Sequence, residues 1–369
     1  MENLRLFLII PPGLEDLALR EMVSKLPEVK HNVIKGGIEV EADLSWMVNA
    51  HLLLKIPVRI LLRISESKVR DFPKLHQKIV KFPWKDFLSH PEPEWEITCR
   101  KSRIMHTGRI EETIKKALTE AMVKQPLSQD WKKKNYSPQT FYIRFEDDVM
   151  TMSLDLSGTP LYKRNLQVIK GEAPIRENIA AALVYELMEG VDSKVNLTDP
   201  MCGSGTLLLE AATFNLPLHE RKFSFEEAPF FKGKLVKKSI ESERLPFDKF
   251  EGIEIDTELV EKIQPVLEEF GIKIKSGDAL FTKVIPGFMI CNPPYGQRIK
   301  TEGKTGIFLK DALDKFLTED RPERIGWLIP SDMDDLIPKR KDYKIRSKRK
   351  FRNGGLAVTY WILEKIIGS

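Results

Sequence analysis

Between residues 195 and 329, short apolar runs alternate with segments whose apolar residues recur at helical spacing, and this alternation constrains the fold more than anything else in the chain. Strands are expected at 195–198, 250–255, 272–275, 288–291 and 324–329, with helices at 206–214, 259–270 and 307–317. That order implies right-handed crossovers and a doubly wound, mostly parallel sheet. The chain then changes character. Residues 343–351, a turn at Asn353-Gly354-Gly355 and residues 356–363 read as an antiparallel hairpin.

The preceding half reads as α+β. A strand at 4–10 stops at Pro11-Pro12-Gly13, after which Leu14, Leu17, Ala18 and Met22 recur as on a helix. Gly36-Gly37 then precede an alternating strand at 38–40, and 60–62 supplies another. A second unit, 71–156, combines a helix at 75–80, a strand at 95–99, the basic segment Arg100-Lys101-Ser102-Arg103, a helix at 109–123, and strands at 140–145 and 149–154 around Glu146-Asp147-Asp148. Gly171-Glu172-Ala173-Pro174 breaks the pattern before a helix starting at 179.

A chain of 369 residues is expected to form two or three domains. Hydrophobic content of 42% beside 31% charged residues is that of a globular protein. No uncharged apolar run approaches the ~20 residues of a membrane span, and no basic leader precedes a cleavable apolar segment, so no membrane partner and a cytoplasmic location are expected. Cys99, Cys202 and Cys291 are far apart and odd in number, and the histidines are scattered, so neither disulfides nor a metal site is expected. The net charge of +5 is modest, but cations cluster at Lys132-Lys133-Lys134, Lys339-Arg340-Lys341 and Lys348-Arg349-Lys350. Lys101, Arg103, Lys339, Arg340, Lys348 and Arg349 are candidate phosphate contacts; a solvated face is the alternative.

Ligands collect at the carboxyl edge of a sheet of this kind, so residues at strand ends carry the functional reading. Asp199-Pro200-Met201-Cys202-Gly203-Ser204-Gly205-Thr206 follows the first strand and opens into an apolar helix. Gly203 and Gly205 allow close backbone approach; Asp199 can accept from a ligand ammonium, and the helix start at Thr206 offers free N–H groups to a carboxylate. No lysine completes a triphosphate-binding loop, and no Gly-x-Gly-x-x-Gly pattern points to a dinucleotide. The second strand ends at Glu254, with Asp256 two residues on, where a ribose diol would lie; Asp278-Ala279 after the third suits an adenine amino group. Each piece alone is also an ordinary cap. In this order, ahead of Asn292, and with a terminal hairpin, they point to S-adenosylmethionine.

The fourth strand closes on Cys291-Asn292-Pro293-Pro294-Tyr295-Gly296. Two prolines end a ladder, leaving Asn292 aimed at the crevice and Tyr295 offering a ring face. An exocyclic amine is a poor nucleophile because its lone pair is delocalised. Asn292 and the Pro293 carbonyl could accept its two N–H bonds and localise that pair, while Tyr295 stacks on the base and Pro294 fixes the turn. A plain proline turn capping a core strand is the alternative.

With these motifs in place, the chain resembles the THUMP-domain methyltransferases, in particular the large-subunit ribosomal RNA guanine-N2 methyltransferase L family. The likeness runs through Pro12-Gly13-Leu14-Glu15-Asp16-Leu17, Arg70-Asp71-Phe72, Pro83-Trp84 with Phe87-Leu88, Leu161-Tyr162-Lys163-Arg164, Gly171-Glu172-Ala173-Pro174-Ile175-Arg176-Glu177-Asn178, Phe223-Ser224-Phe225-Glu226 and Asn353-Gly354-Gly355. It implies a ferredoxin-like domain over 1–67, an RNA-holding THUMP domain over 68–157, and a Rossmann-like class I methyltransferase domain over 158–369. It also implies structured RNA as substrate, with guanine N2 as the acceptor. Asn165-Leu166 departs from the family's glycine and aromatic, so that segment is expected to meet RNA differently. A second catalytic domain fused to some members is missing, implying one methylation activity. The insertion at about 213–249 favours ribosomal over transfer RNA; a surface elaboration is the alternative. Rival readings are a tRNA guanine-N2 methyltransferase, a DNA adenine-N6 methyltransferase and a noncatalytic RNA-binding protein.

Overall fold

The computed structural model describes residues 3–128, 132, 134–164, 175–218, 221–233, 246–295 and 304–366. Lys133, Asn165-Leu166, the break at Gly171-Glu172-Ala173-Pro174, and Gly296 lie outside the described residues.

In the N-terminal half β1 (Leu4–Ile9), β2 (Lys30–Ile34), β3 (Gly37–Ala42), β4 (Arg59–Lys68), β5 (Glu94–Arg100), β6 (Thr140–Glu146) and β7 (Val149–Asp155) form one sheet, ordered β2-β3-β1-β4-β7-β6-β5. Its pairs are antiparallel except β5 with β6. The helices are α1 (Glu15–Lys25), α2 (Leu44–Leu53), α3 (Phe72–Lys81), the single turn α4 (Trp84–Phe87) and α5 (Thr107–Lys124). Side-chain caps fix two of the helix starts: Asp43 accepts from Trp46 N at 2.8 Å, and Asp71 from Lys74 N at 2.7 Å. On β6 the inward set Phe141, Ile143 and Phe145 is buried, and α5 buries Ile110, Ile114, Ala117, Leu118 and Ala121 along one face.

The expected division at 67/68 falls within this sheet. Strand β4 pairs with β1 through residues 59–62 and with β7 through residues 61–68, so the two N-terminal units share a strand. By strand pairing, the first half is one continuous β-structure.

The second half contains α6 (Glu177–Leu187), β8 (Val195–Asp199), α7 (Thr206–Thr213), β9 (Phe247–Glu254), α8 (Thr257–Glu268), β10 (Ile272–Ser276), β11 (Phe288–Cys291), α9 (Lys304–Lys315), β12 (Arg324–Pro330), β13 (Tyr343–Asn353) and β14 (Leu356–Lys365). Their sheet is ordered β10-β9-β8-β11-β12-β14-β13: parallel from β10 to β12, then antiparallel through β14 and β13. All residues of β11 and β12 are buried, as a parallel sheet covered on both faces requires. The hairpin turns at Gly354 and Gly355, both at positive φ (58° and 91°), the geometry a two-residue loop of this hand needs.

The halves are joined by polar anchors. Arg349 on β13 donates to Gly13 O (3.0 Å), to both oxygens of Asp16 on α1 (2.6 and 2.9 Å), and to both oxygens of Glu186 on α6 (3.0 and 2.9 Å). Arg164 is buried between Lys55 O (2.7 Å) and the Glu210 carboxylate (3.2 Å).

Candidate active site

A cleft of about 770 Å³ opens over the carboxyl ends of β8, β9, β10 and β11. Asp199, Pro200, Cys202, Gly203 and Thr206 line it from the first loop; Glu254, Asp256, Asp278 and Ala279 from the second and third strand ends; Asn292 and Pro294 from the fourth. Expected candidates far apart in sequence are thus brought together. Gly205, Pro293 and Tyr295 do not line this cleft; Pro293 is buried, and Tyr295 is half-buried beside it.

The first loop owes its shape to its glycines. Gly205 caps α7 at φ 74°, and a Cβ there would come within 2.7 Å of Leu267 Cδ1, so it secures the turn and the packing of α7 on α8. Gly203, at φ 52°, has no atom within 4 Å of where a Cβ would stand, leaving backbone open to the cleft. Cys202 N donates to Ile253 O at 2.9 Å, tying the loop to β9. No side chain caps α7, which leaves its first amides for a ligand.

The acidic residues divide the work. Glu254 accepts from Gly203 N (2.9 Å) and Asp256 N (3.0 Å), so it braces the loop as well as facing the cleft. Asp256 accepts from Leu259 N at 3.1 Å, capping α8, and Asp278 accepts from Leu280 N at 2.9 Å. Asp199 is 2% exposed with one hydrogen bond, from Met201 N at 3.2 Å. Burial, with the nearby Glu254 charge adding to it against that hydrogen bond, pushes its carboxyl up to about 8. Burial likewise raises the Cys202 and Cys291 thiols well above their usual range, which keeps them protonated and unreactive.

Asn292 Oδ1 is buried without a hydrogen-bond partner among the described residues. An acceptor left unmade in this way costs about 1–3 kcal/mol, so its position beside the cleft marks a place for a donor from outside the chain. The bare Gly203 cradle and the free α7 amides fit an adenosyl amino-acid ligand ending in a carboxylate, which leaves the Asn292 acceptor for a second molecule beside it.

Ile175, Leu207, Ile255, Leu259 and Phe308 also line the cleft. Leu207 and Leu259 could have been inferred from their places at the starts of helices that follow the loop and β9. Ile175 and Phe308 come from distant segments and carry no local signal.

The basic candidates separate into two groups. Lys101 and Lys339 are exposed with no ion partner among the described residues. Arg103 is exposed near Asp148, which accepts from its backbone N at 2.8 Å. Arg340 forms a two-pronged pair with Asp342 at 2.9 Å, and Lys348 is paired with Asp334 at 3.0 Å and lies over the Trp361 ring at 4.2 Å. Arg349 overturns its expected role: its guanidinium is spent on the junction with α1 and α6, so it is a structural clamp. Among the described residues no group of side chains could hold a metal ion, and no helix is long and apolar enough to cross a membrane.

Comparison with known proteins gives a consistent picture. A family described as RMKL-like, methyltransferase domain, matches residues 164–353, more than half of the chain. The ribosomal RNA large subunit methyltransferase K/L of Photobacterium profundum is 30% identical over 312 residues, covering 78% of this chain and 43% of that protein. The chain therefore spans less than half the length of this curated relative. Among solved structures, SMU.472, solved in complex with SAH, aligns over the whole of both chains with a TM-score of 0.79 at 22% identity. TrmN from Thermus thermophilus aligns over 98% of this chain and all of its own, with a TM-score of 0.68 at 18% identity. At these identities the two structures speak for the fold.

Proposed function

The chain belongs to the RMKL-like methyltransferase-domain family, and from that premise we propose that it methylates the exocyclic N2 amine of a guanine in structured RNA, with 23S ribosomal RNA the best-fitting class and S-adenosylmethionine the methyl donor. The observation that carries the reading is the buried, unpartnered Asn292 Oδ1 at the edge of the cleft. The name of the Photobacterium relative supports ribosomal RNA, and the fit of the cleft to an adenosyl amino acid supports the donor.

In this reading Asp199 faces the cationic part of the donor, Glu254 and Asp256 its ribose, Asp278 and Ala279 its base, and the amides of Ser204 and Thr206 its carboxylate. When bound, S-adenosylmethionine supplies an electrophilic methyl group. Asn292 Oδ1 and the Pro293 carbonyl accept the two N–H bonds of the target amine. That holds its lone pair on nitrogen and keeps two acceptors near the positive charge that develops there. Tyr295 stacks on the extruded base and orients it. Lys101, Arg103 and Lys339 contact phosphates, with the N-terminal half holding the RNA.

The test is to incubate the purified chain and its Asn292→Ala variant with isotopically labelled donor and unmodified rRNA, tRNA or duplex DNA, followed by nucleoside analysis. N2-methylguanosine from rRNA is expected for the wild type. The variant should bind donor normally in calorimetry and lose turnover. Label confined to DNA, or a variant of normal rate, refutes the assignment.

A further inference from the structure

The insertion after α7 offers an inference that the catalytic chemistry does not require. Its described part, 214–218 and 221–233, runs back over the N-terminal half and engages it at several separated points. Leu218 N donates to Leu52 O at 2.9 Å, at the end of α2. Arg221, 7% exposed, donates to Pro160 O (3.1 Å) and Lys163 O (3.2 Å), and also to Thr159 O, gathering in the loop after β7. Phe223 and Phe225 stack on each other at 5.3 Å, and the buried His51 ring of α2 meets both edge-on at 5.2 and 4.8 Å. Glu227 accepts from Ser137 N at 3.1 Å, just before β6. Phe230 stacks on Phe87 of α4, with centroids 5.3 Å apart and planes 12° apart.

Phe223, Phe225 and Phe231 are all buried, so this is no loose surface elaboration. The geometry of the attachments matters more. The Arg349 clamp fastens α1 to α6 and β13, and Arg164 and Asn178 tie the segment just after α2 to the second half through Lys55 O and Ile56 O. The insertion adds contacts beyond α1 and that segment, reaching α4 and the approach to β6, and so holds the part of the N-terminal half that those anchors do not touch. Its own ends are set in α7 and β9, the elements that carry the first loop and Glu254.

We propose that residues 214–218 and 221–231 are a buckle that fixes the N-terminal half against the cleft and thereby determines which nucleotide of a bound RNA reaches Asn292. The proposal rests on the RNA-methyltransferase reading above. Phe223 and Phe230 are positioning residues: neither lines the cleft, and both act through the half they hold.

The test uses the full chain with Cys99→Ser and spin labels at Val123→Cys and Lys273→Cys, exposed sites on α5 and β10. Distance distributions are measured for the parent, for Phe230→Ala, for Phe230→Ala with Phe223→Ala, and for Phe230→Tyr, which keeps the stacked ring. In parallel, donor binding, RNA binding and methylation kinetics are measured with unmodified rRNA. A narrow distribution in the parent should broaden in both alanine variants and narrow again in Phe230→Tyr. The alanine variants should keep donor and RNA affinity while kcat falls by about tenfold or more, or methylation spreads to neighbouring guanines, because a misplacement near 1 Å suffices for losses of that order. Two results overturn the proposal: an unchanged distance distribution, or a broadened one with parental kcat and parental product. Should the parent methylate no RNA, the functional reading falls, and the distances alone decide whether the buckle exists.

Discussion

Replacing Asp199 by asparagine separates what this residue does for binding from what it does to stability. In the folded chain its carboxyl titrates at about 8 because it is buried near Glu254; unfolded, it titrates near its ordinary 3.8. Between those values the folded state holds a proton that the unfolded state has released, so stability falls as pH rises, by about 1.36 kcal/mol per pH unit. From pH 6 to pH 8 that amounts to about 2–3 kcal/mol. Below the unfolded value both states are protonated and the effect vanishes; above about 8 it is complete. Asparagine keeps an oxygen that can accept from Met201 N, and it removes the titration. The ligand-free variant should therefore melt progressively higher than the wild type as pH rises from 6 to 9, gaining about 5–10 °C if each kcal/mol moves the midpoint about 2–4 °C. Calorimetric titration with S-adenosylmethionine at pH 8 should show weaker binding, by about 10- to 100-fold for the loss of a charge-assisted contact. Parallel melting curves for the two proteins across this range would refute the burial argument; unchanged affinity would remove Asp199 from the ligand site.

Three further outcomes follow from other residues. His51, buried among Phe223 and Phe225, titrates at about 3, below its ordinary 6.5, so its share of stability is present above 6.5 and is lost as pH falls. Between pH 7.5 and pH 5 the wild type should lose about 2 kcal/mol that His51→Phe does not, visible as converging denaturant midpoints. Arg349→Ala leaves the buried Glu186 carboxylate without its main cation and should destabilise by about 3 kcal/mol in chemical denaturation, whereas Lys339→Ala should change stability little. Gly205→Ala meets both a positive φ and Leu267, and should lower the melting temperature and weaken donor binding together.

The parallel half was legible because its signals are local. Short buried strands bounded by loops, and chemistry-bearing residues at their carboxyl ends, put Asp199, Glu254, Asp278 and Asn292 within one cleft. Helix α2 was not legible: Trp46, Met47, Val48, Ala50, His51 and Leu53 are all buried, so no polar face marks a period. Strand β2, Lys30-His31-Asn32-Val33-Ile34, is an edge strand whose polar residues hide its pairing with β3. Arg349 misleads for a geometric reason. Neighbouring strand residues point to opposite faces, so Lys348 and Lys350 turn together toward Asp334 while Arg349 turns the other way, to Asp16 and Glu186. A run of cations on a strand is two half-runs with different surroundings. Phe308 and Ile175 approach the cleft only through tertiary folding, and no spacing reports that.

The strand shared by the two N-terminal units has a consequence for dissecting the chain. A fragment ending at residue 67 would keep nearly all of β4 but strip away β7, leaving the β4 edge from Leu61 onward with unanswered amides and carbonyls. The complementary fragment would present β7 as a new open edge. Each would carry a ready template for pairing with further copies of itself, so both should aggregate where the undivided sheet does not. Fragments meant to retain the N-terminal sheet should therefore carry β1 through β7 as one piece.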